Sequence, residues 1–533
     1  MCRLLAYSTI FVATTLAGCA SSGPHRTAED KVISAATDGR CKDLYSTTDR
    51  QIFEIATNFS KTNDERTIFL DQMQRYIEST PENLRICWTT AYERHEDYDL
   101  LYAEFDDAGG PTDIARGVVY QQSELYLIEH FLLNALETEE KEGGGLNIIL
   151  FSHGWHGNAP ADNDYSIEFK GVLQNITERE KKYSFRTAHR SQKPRRTIGV
   201  EVSWRGDSLL TPAIPFLPES KNVLNVWDRK IASDTVARAA VQELFAFLNE
   251  LYRENSCSQL GSAKESPTTT CDAVHLLTLG HSFGAQIDLH ALLSRIESGL
   301  NVPSGCRVYG FGDLTILLNP AFEGARFRPI FNNAISRPVL RGPYLGDLSA
   351  SSTFRGRKND VPGAEEQLPT LITLQSLGDT ATGHFFPIFR AATTPFEQTL
   401  SSEERTDKNL AMGWVGDFRT HQLTTQAKSQ DECETPATPK SYCPFANNNK
   451  RLSKDGTGSG LQNWNHLLLS WNSGTPDVPS YMPLWTVSVD TSIMKDHDDF
   501  WNPQIVRLIA LLFQDAYDQA DKRSLGISPG PTR

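Results

Sequence analysis

Short runs of apolar residues alternate with longer amphipathic stretches along most of the chain. The apolar runs have the length of buried strands. They are Leu100–Phe105, Asn147–Ser152, Thr197–Trp204, Val274–Leu279, Leu314–Leu318, Leu371–Leu377 and Trp485–Val489. The stretches with apolar positions at helical spacing are Tyr120–Glu139, Asp234–Arg253, Ala285–Ser298 and Pro503–Lys522. Continuous apolar strands interleaved with amphipathic helices predict an α/β fold with a mostly parallel central sheet and helices on both of its faces.

Three segments depart from this alternation. Residues 46–97 are polar, with scattered apolar positions at helical spacing, and they predict a helical N-terminal extension. Residues 321–368 and 391–480 are rich in Pro, Gly, Ser, Asn and Asp, which indicates two insertions into a domain that spans residues 98–522. Loops of this length are uncommon unless they work as lids or binding elements, so residues 391–480 are a candidate lid.

The N-terminus carries an apolar stretch that begins at Leu4 and ends in the sequence Leu-Ala-Gly-Cys at Cys19. The stretch is too short for a permanent membrane span and is typical of a secretory signal. Its end resembles the bacterial lipobox, which implies a signal peptide over residues 1–18, lipidation of Cys19 and a tether over residues 19–45. Ala20 follows the cysteine, and by resemblance to Gram-negative lipoproteins this favours the outer membrane, facing the periplasm. The alternatives are an ordinary signal peptide and an apolar N-terminal helix.

Composition narrows the function classes. Hydrophobic residues make up 39% of the chain and charged residues 22%, as in soluble globular proteins. The net charge of −14 argues against non-specific nucleic-acid binding, which relies on Lys and Arg neutralising phosphates. Two cysteine pairs, Cys257/Cys271 and Cys433/Cys443, bracket polar segments and predict local disulfides in an oxidising compartment; Cys41/Cys87 is the next candidate pair.

The segment Gly280-His281-Ser282-Phe283-Gly284 fits the pattern G-x-S-x-G between a predicted strand and a predicted helix. Gly280 and Gly284 would weaken a strand and a helix alike, so their presence needs a reason. They allow a turn too tight for a Cβ atom, with Ser282 at its apex above the carboxyl end of the sheet. A glycine-flanked helix start without chemistry is the alternative.

This motif, together with Ser152-His153-Gly154-Trp155 after an earlier strand, resembles the α/β-hydrolase superfamily. The resemblance covers about residues 98–522, with the two insertions as departures. It implies serine-hydrolase chemistry without naming a substrate. It also implies the chain order of the catalytic residues, which is serine, then acid, then histidine.

The acid that the family's order implies is Asp379. It ends the run "TLITLQSLGD", at the carboxyl edge of a predicted strand, where the family keeps its acid. Two rivals are Glu323, just past "TILLNPAF", and Asp313, which fits the start of that strand better. An aspartate that serves only as a turn residue is the remaining alternative for Asp379.

The base that we predict is His497, on the loop between the last predicted strand and the last predicted helix. Asn502-Pro503 reads as the N-cap and first residue of that helix. The weaker candidates for the base are His384, His421 and His466. The carboxylates around His497 that suggest a cation site are Asp496, Asp498 and Asp499. Local charge at a helix start explains them with fewer assumptions, so no metal is predicted.

Two backbone N–H groups are predicted to form the oxyanion hole. Phe283 follows the nucleophile and supplies one of them. Trp155 is the second, because "SHGWHGNA" resembles the family's His-Gly-containing oxyanion loop. His153 and His156 have no evident third ligand, which disfavours zinc. The indole rings of Trp155 and Trp204 either wall an acyl pocket or belong to the core.

These residues predict a lipid-anchored serine hydrolase of the bacterial envelope that cleaves a carboxylic ester or related acyl bond. Its partners would be a small-molecule ester or lipid substrate and the membrane that holds its anchor, with no nucleic acid and no cofactor. One alternative is a lipase or phospholipase that acts on membrane lipids, and an amidase or peptidase is more distant. A catalytically inactive hydrolase-fold lipoprotein with a binding role is the alternative from another class.

Overall fold

The structure is a computed structural model in two units, residues 1–248 and 249–533. It describes residues 92–112, 124–155, 157, 163–184, 193–206, 220–255, 273–301, 308–336, 369–394, 396–425, 441–442, 467–471 and 482–524. The predicted signal peptide, the tether and all nine cysteines, with the lipidation site Cys19 among them, lie outside these residues. Among the described residues, no helix combines the length and the apolar character needed to cross a bilayer.

The first unit pairs its strands in the order β1-β2-β4-β3. These strands are β1 (Tyr92–Arg94), β2 (Tyr98–Phe105), β3 (Leu146–Ser152) and β4 (Arg196–Trp204). β2, β4 and β3 run parallel, and β1 is antiparallel to β2 at the edge. The helices are α1 (Glu124–Lys141), α2 (Asp164–Ser184), α3 (Ser220–Ala237) and α4 (Val241–Asn255), the last of which continues into the second unit.

The second unit pairs its strands in the order β5-β6-β7-β11-β8-β10-β9. They are β5 (Val274–His281), β6 (Leu314–Leu318), β7 (Leu371–Ser376), β8 (His421–Thr425), β9 (Ser441–Tyr442), β10 (Leu467–Trp471) and β11 (Leu484–Val489). The first five in this order are parallel, while β10 is antiparallel to β8 and β9. The α-helices are α5 (Phe283–Leu300), α6 (Gly324–Ile335), α7 (Phe386–Thr393), α8 (Ser402–Asn409) and α9 (Pro503–Ser524).

The burial of the strands explains why they could be predicted from the sequence. Every position of β5, β6, β7 and β11 is buried, so apolar residues are favoured at consecutive positions rather than at alternate ones. The seven predicted strands all form, with bounds that differ by at most two residues. Parallel strands that alternate with helices confirm the predicted α/β class.

One predicted helix is wrong as a single element. The range Asp234–Arg253 contains the end of α3, a turn and most of α4. At the turn, the N–H of Ala240 donates to the carbonyl of Gly109 and not to a helical acceptor. A Cβ atom at Gly109 would lie 2.4 Å from that of Ala239, so the two segments approach closely. This tertiary contact breaks a pattern that is helical on both sides.

Parts of the three irregular segments also differ from the prediction. The end of the predicted helical extension 46–97 forms the edge strand β1. The range 321–368 contains helix α6, and the range 391–480 supplies β8, which pairs in parallel with β11 inside the sheet. Residues 421–425 are therefore part of the sheet and not of an inserted lid. β8 alternates buried and exposed positions, so it lacks the continuous apolar run that marks the other parallel strands.

Candidate active site

Ser282 occupies a strained turn between β5 and α5. Its φ of 55° and ψ of −116° lie in a region that non-glycine residues rarely adopt, at a cost of about 1–3 kcal/mol. The end of β6 holds this conformation. The N–H of Ser282 donates to the carbonyl of Leu318 at 3.0 Å, and its carbonyl accepts from the N–H of Ala321 at 3.1 Å. The backbone is thus fixed on both sides of the serine hydroxyl.

Gly280 is required by the close approach of α5 to β5. A Cβ atom there would lie 2.3 Å from Oδ2 of Asp288 and 2.7 Å from Cα of Ala285. The second of these contacts is with helix backbone, which has no side chain to move away. Gly284 is buried as the second residue of α5. The first motif glycine therefore has a packing reason in this structure.

The substitution Gly280→Ala is expected to lower the free energy of unfolding by about 2 kcal/mol or more, because the added methyl group must displace backbone. Urea denaturation monitored by tryptophan fluorescence measures the change. Gly171→Ala is the matched control, since a Cβ atom at this helical glycine meets nothing within 4 Å. The control is expected to be neutral or slightly stabilising. Equal urea midpoints for Gly280→Ala and the wild type would contradict the packing argument.

Three predicted residues from distant parts of the chain meet at this turn. Nε2 of His497 lies 3.0 Å from Oγ of Ser282, and Nδ1 of His497 lies 2.9 Å from Oδ2 of Asp379. His497 lies on the loop between β11 and α9, and Asp379 on the loop after β7. The Asp379 side chain is fully buried, whereas that of His497 keeps 16% of its surface exposed. The two contacts form one continuous hydrogen-bonded chain.

Asp379 is held by donors from its own loop and from β7. The N–H of Thr382 donates to Oδ1 at 3.0 Å, and Nε2 of Gln375 donates to Oδ2 at 3.1 Å. The hydroxyl of Thr382 also donates to Oδ2 and itself accepts a hydrogen bond from Nε1 of Trp414, at 2.9 Å. A single aspartate that receives this many donors is an anchored carboxylate rather than a free turn residue.

Opposing effects set the protonation states of Asp379 and His497. Burial alone would raise the pKa of Asp379, but the charge of His497 and the hydrogen bonds from His497 and Thr382 outweigh it and lower that pKa to about 2. Burial likewise lowers the pKa of His497, yet the charge of Asp379, its hydrogen bond and the charges of Asp498 and Asp496 give a net rise. An ionised Asp379 keeps a proton on Nδ1, which leaves Nε2 of the neutral ring as acceptor for Ser282.

A lowered carboxyl pKa in the folded state stabilises the fold at pH values above the unfolded pKa, and this stabilisation is lost as the pH falls toward the folded pKa. For Asp379 the window runs from the ordinary value of 3.8 down to about 2. We expect the difference in unfolding free energy between the wild type and Asp379→Asn to narrow by about 1 kcal/mol between about pH 5 and about pH 3. Urea titrations of both proteins at the two pH values measure it. A constant difference would contradict the assigned ionisation.

Two residues that sequence reasoning did not single out bind the main chain of His497. Nδ2 of Asn319 donates to the His497 carbonyl at 2.8 Å, and Nε2 of His281 donates to the same oxygen at 3.1 Å. Asn319 directly follows β6, and its φ is 43°. Among the described residues other than glycine, it shares a positive φ only with Ser282. An asparagine at the carboxyl end of a buried strand was the available signal, since asparagine tolerates this conformation.

The two predicted oxyanion donors lie in different units. Phe283 is the first residue of α5, so its N–H has no acceptor within the helix and lies at the positive end of the helix dipole. Trp155 follows β3 in the first unit, and its carbonyl accepts a hydrogen bond from the hydroxyl of Tyr165 at 3.1 Å. The oxyanion role of both N–H groups stays a prediction.

His153 has a structural place in the predicted oxyanion loop. Its Nδ1 donates to the carbonyl of Gly154 at 3.1 Å, and its Nε2 accepts from the N–H of Trp204 at 3.1 Å. Burial lowers the pKa of His153 to about 4, in keeping with a neutral ring. Because both ring nitrogens have partners, neither is open to a metal ion. The Trp204 side chain is fully buried, which favours its interpretation as core; His156 lies outside the described residues.

The rival acids have other partners. Glu323 lies 3.1 Å from Nε of Arg326 and 3.3 Å from Nε of Arg390, so its buried charge is balanced by two guanidinium groups. Asp313 precedes β6, as expected, and accepts hydrogen bonds from the N–H of Leu276 at 2.9 Å and the hydroxyl of Tyr252 at 3.0 Å. Both carboxylates therefore have structural partners in the fold, and neither of these sets of partners includes His497.

The rival bases differ in their surroundings. His421 lies in β8, its Nδ1 is 2.7 Å from the hydroxyl of Thr420, and burial lowers its pKa to about 3. A ring with so low a pKa is a poor proton acceptor at neutral pH. His384 is exposed in the π-helical turn Ala381–Phe385, and His466 lies outside the described residues.

Among the described residues, the ligand atoms of His281, His497 and Asp498 lie within 4.8 Å of one another. Both nitrogens of His497 are already bonded to Ser282 and Asp379, and Nε2 of His281 donates to a carbonyl. A metal ion would have to displace these bonds. Asp499 instead accepts a hydrogen bond from the N–H of Lys495 at 2.7 Å, a local role within the loop that precedes α9.

Comparison of the chain with protein-family models, with curated proteins and with solved structures finds no match.

Proposed function

We propose that this protein is a serine hydrolase with an α/β-hydrolase fold that cleaves a carboxylic ester or a related acyl bond. The observation that carries the proposal is the chain of hydrogen bonds from Ser282 through His497 to Asp379, with distances of 3.0 and 2.9 Å. A serine hydroxyl is a weak nucleophile until an adjacent base takes its proton, and a carboxylate keeps that base in the productive tautomer. The strained backbone at Ser282 adds support, because such strain concentrates at functional sites.

In the proposed mechanism, Oγ of Ser282 attacks the acyl carbonyl while Nε2 of His497 accepts the hydroxyl proton. Asp379 stabilises the imidazolium and remains ionised. The N–H group of Phe283, at the start of α5 directly after the nucleophile, would bind the oxyanion of the tetrahedral intermediate. His497 then gives its proton to the leaving alcohol oxygen, and an acyl-Ser282 ester remains. Water, deprotonated by His497, attacks this ester and releases the acid and the free serine.

A lipase or phospholipase is a second candidate. Large apolar side chains are exposed soon after the Asp379 loop, and they are Phe385, Ile388, Phe396 and Leu400. Apolar surface of this kind is suited to a substrate with long acyl chains. The proposed lipid anchor at Cys19 would also hold the enzyme close to lipid substrates.

The anchor itself is tested by labelling with palmitate. The substitution Cys19→Ala is expected to abolish the incorporation of labelled palmitate, and retained labelling would refute the anchor.

A series of p-nitrophenyl esters with increasing acyl length tests the proposal and separates the two candidates. The full chain in detergent is expected to hydrolyse at least one member of the series. A maximum of kcat/KM at short chains would identify an esterase, and a maximum at long chains a lipase. Absence of turnover from folded protein over the whole series would favour the inactive binding protein.

A further inference from the structure

The main-chain carbonyl of His497 receives hydrogen bonds from two side chains that flank the nucleophile in space. His281 precedes Ser282 at the end of β5, and its Nε2 donates to this oxygen at 3.1 Å. Asn319 follows β6, and its Nδ2 donates to the same oxygen at 2.8 Å and to the carbonyl of Asp496 at 3.3 Å. A carbonyl oxygen has two lone pairs, so both donors are accommodated.

Both donors are themselves held firmly. The ring of His281 is fully buried and stacks on Phe500, with ring centroids 3.9 Å apart and planes 25° apart. Oδ1 of Asn319 accepts from the N–H of Ser376 at 2.8 Å, and the N–H of Asn319 donates to the carbonyl of Leu374 at 2.9 Å. Asn319 therefore links the end of β7, which leads to Asp379, with the loop that carries His497.

We propose that His281 and Asn319 are positioning residues that hold the His497 main chain in register with both Ser282 and Asp379. The inference rests on the proposed serine-hydrolase function and adds two residues to it. His497 lies on a loop, and its ring must satisfy two hydrogen bonds at once. Fixing its carbonyl from the nucleophile side and from the acid side removes the loop freedom that would lengthen one bond or the other. Misplacement of a catalytic group by about 1 Å can cost about 100-fold in rate.

The pH dependence of activity distinguishes a positioning role of His281 and Asn319 from a purely structural one. The charged groups that raise the pKa of His497 are Asp379, Asp498 and Asp496, and the ring of His281 lies 4.8 Å from that of His497. A looser His497 loop would weaken the contact with Asp379, which contributes most to the rise. The acid limb of the kcat/KM profile would then move to lower pH. A residue that only stabilises the fold would leave this limb where it is.

Three variants separate donation from packing. His281→Phe keeps a ring against Phe500 but removes the donor, whereas His281→Gln keeps an N–H donor at similar reach and removes the ring. Asn319→Asp keeps the oxygen that accepts from Ser376 but replaces the donor to His497. We expect His281→Phe and Asn319→Asp each to lower kcat about 10-fold, and the double variant about 100-fold or more. His281→Gln should retain more of kcat than His281→Phe. Asn332→Asp, at an exposed position of α6, is the matched control and should behave as the wild type.

The measurements are kcat and kcat/KM against pH for an ester that the wild type hydrolyses, on proteins with wild-type circular dichroism. A lowered kcat together with an acid limb shifted downward in His281→Phe supports the proposal. Unchanged kcat and an unchanged acid limb in both donor variants would overturn it, and so would His281→Gln losing as much kcat as His281→Phe. Persistent turnover in Ser282→Ala would instead refute the serine-hydrolase function, so the two failures are distinguishable.

Discussion

Replacing Ser282 by alanine is expected to lower kcat for ester hydrolysis by about 10,000-fold or more, with the fold intact. The size of the effect follows from the mechanism, because the serine oxygen forms the covalent bond to the acyl group and no other hydroxyl is aligned with Nε2 of His497 among the described residues. The stability should change little, since the Ser282 backbone, not its hydroxyl, makes the bonds to Leu318 and Ala321. Initial-rate kinetics with a p-nitrophenyl ester measure the loss.

Ser402→Ala is the matched control for this variant. Ser402 is exposed at the start of α8, away from the hydrogen-bonded chain, so its substitution should leave kcat unchanged. Turnover by Ser282→Ala at the wild-type rate would show that another group is the nucleophile. Loss of activity in both variants would point to a nonspecific defect.

The second large effect is expected from Asp379→Asn, which should lower kcat by about 10,000-fold. The substitution keeps the shape of the side chain, but an amide nitrogen toward His497 cannot accept the proton of Nδ1. The imidazole would then favour the tautomer with its proton on Nε2, which cannot act as a base toward Ser282. The raised pKa of His497 would also fall, because the charge of Asp379 contributes to it. Steady-state kinetics of the purified variant measure the loss.

Glu323→Gln is the matched control for the acid. Glu323 is buried, like Asp379, but it pairs with Arg326 and Arg390. The substitution should therefore lower the stability of the fold and leave kcat nearly unchanged. A larger loss of kcat in Glu323→Gln than in Asp379→Asn would contradict the assignment of the acid and would favour the rival.

The sequence predicted the strands better than the connections between them. Buried parallel strands such as β5 and β6 are buried at every position and mostly apolar, so hydrophobicity alone marks them. β8 and α2 carry many polar residues, and their positions depend on tertiary partners that a local pattern does not contain. The break between α3 and α4 likewise depends on a contact with Gly109.

The candidate site likewise contains residues that the sequence predicted and residues that it did not. Ser282, Asp379 and His497 were predictable because motif and chain order restrict where such groups occur in the resembled fold. The position of Asn319 at the end of β6 was visible in the sequence, but its role was not, because its hydrogen bonds to His497 and Ser376 join segments that are far apart in sequence. Its positive φ is a property of the folded backbone, which residue identity alone does not reveal.

The most direct test of the central claim is covalent labelling with a fluorophosphonate, followed by mass spectrometry of the peptides. This reagent phosphonylates a serine only when a base activates the hydroxyl, so it reports on the Ser282–His497 contact without knowledge of the substrate. We predict a single adduct on Ser282 that is absent from Ser282→Ala and forms far more slowly in His497→Ala. Folded wild-type protein that forms no adduct, or forms one at a different serine, would contradict the account.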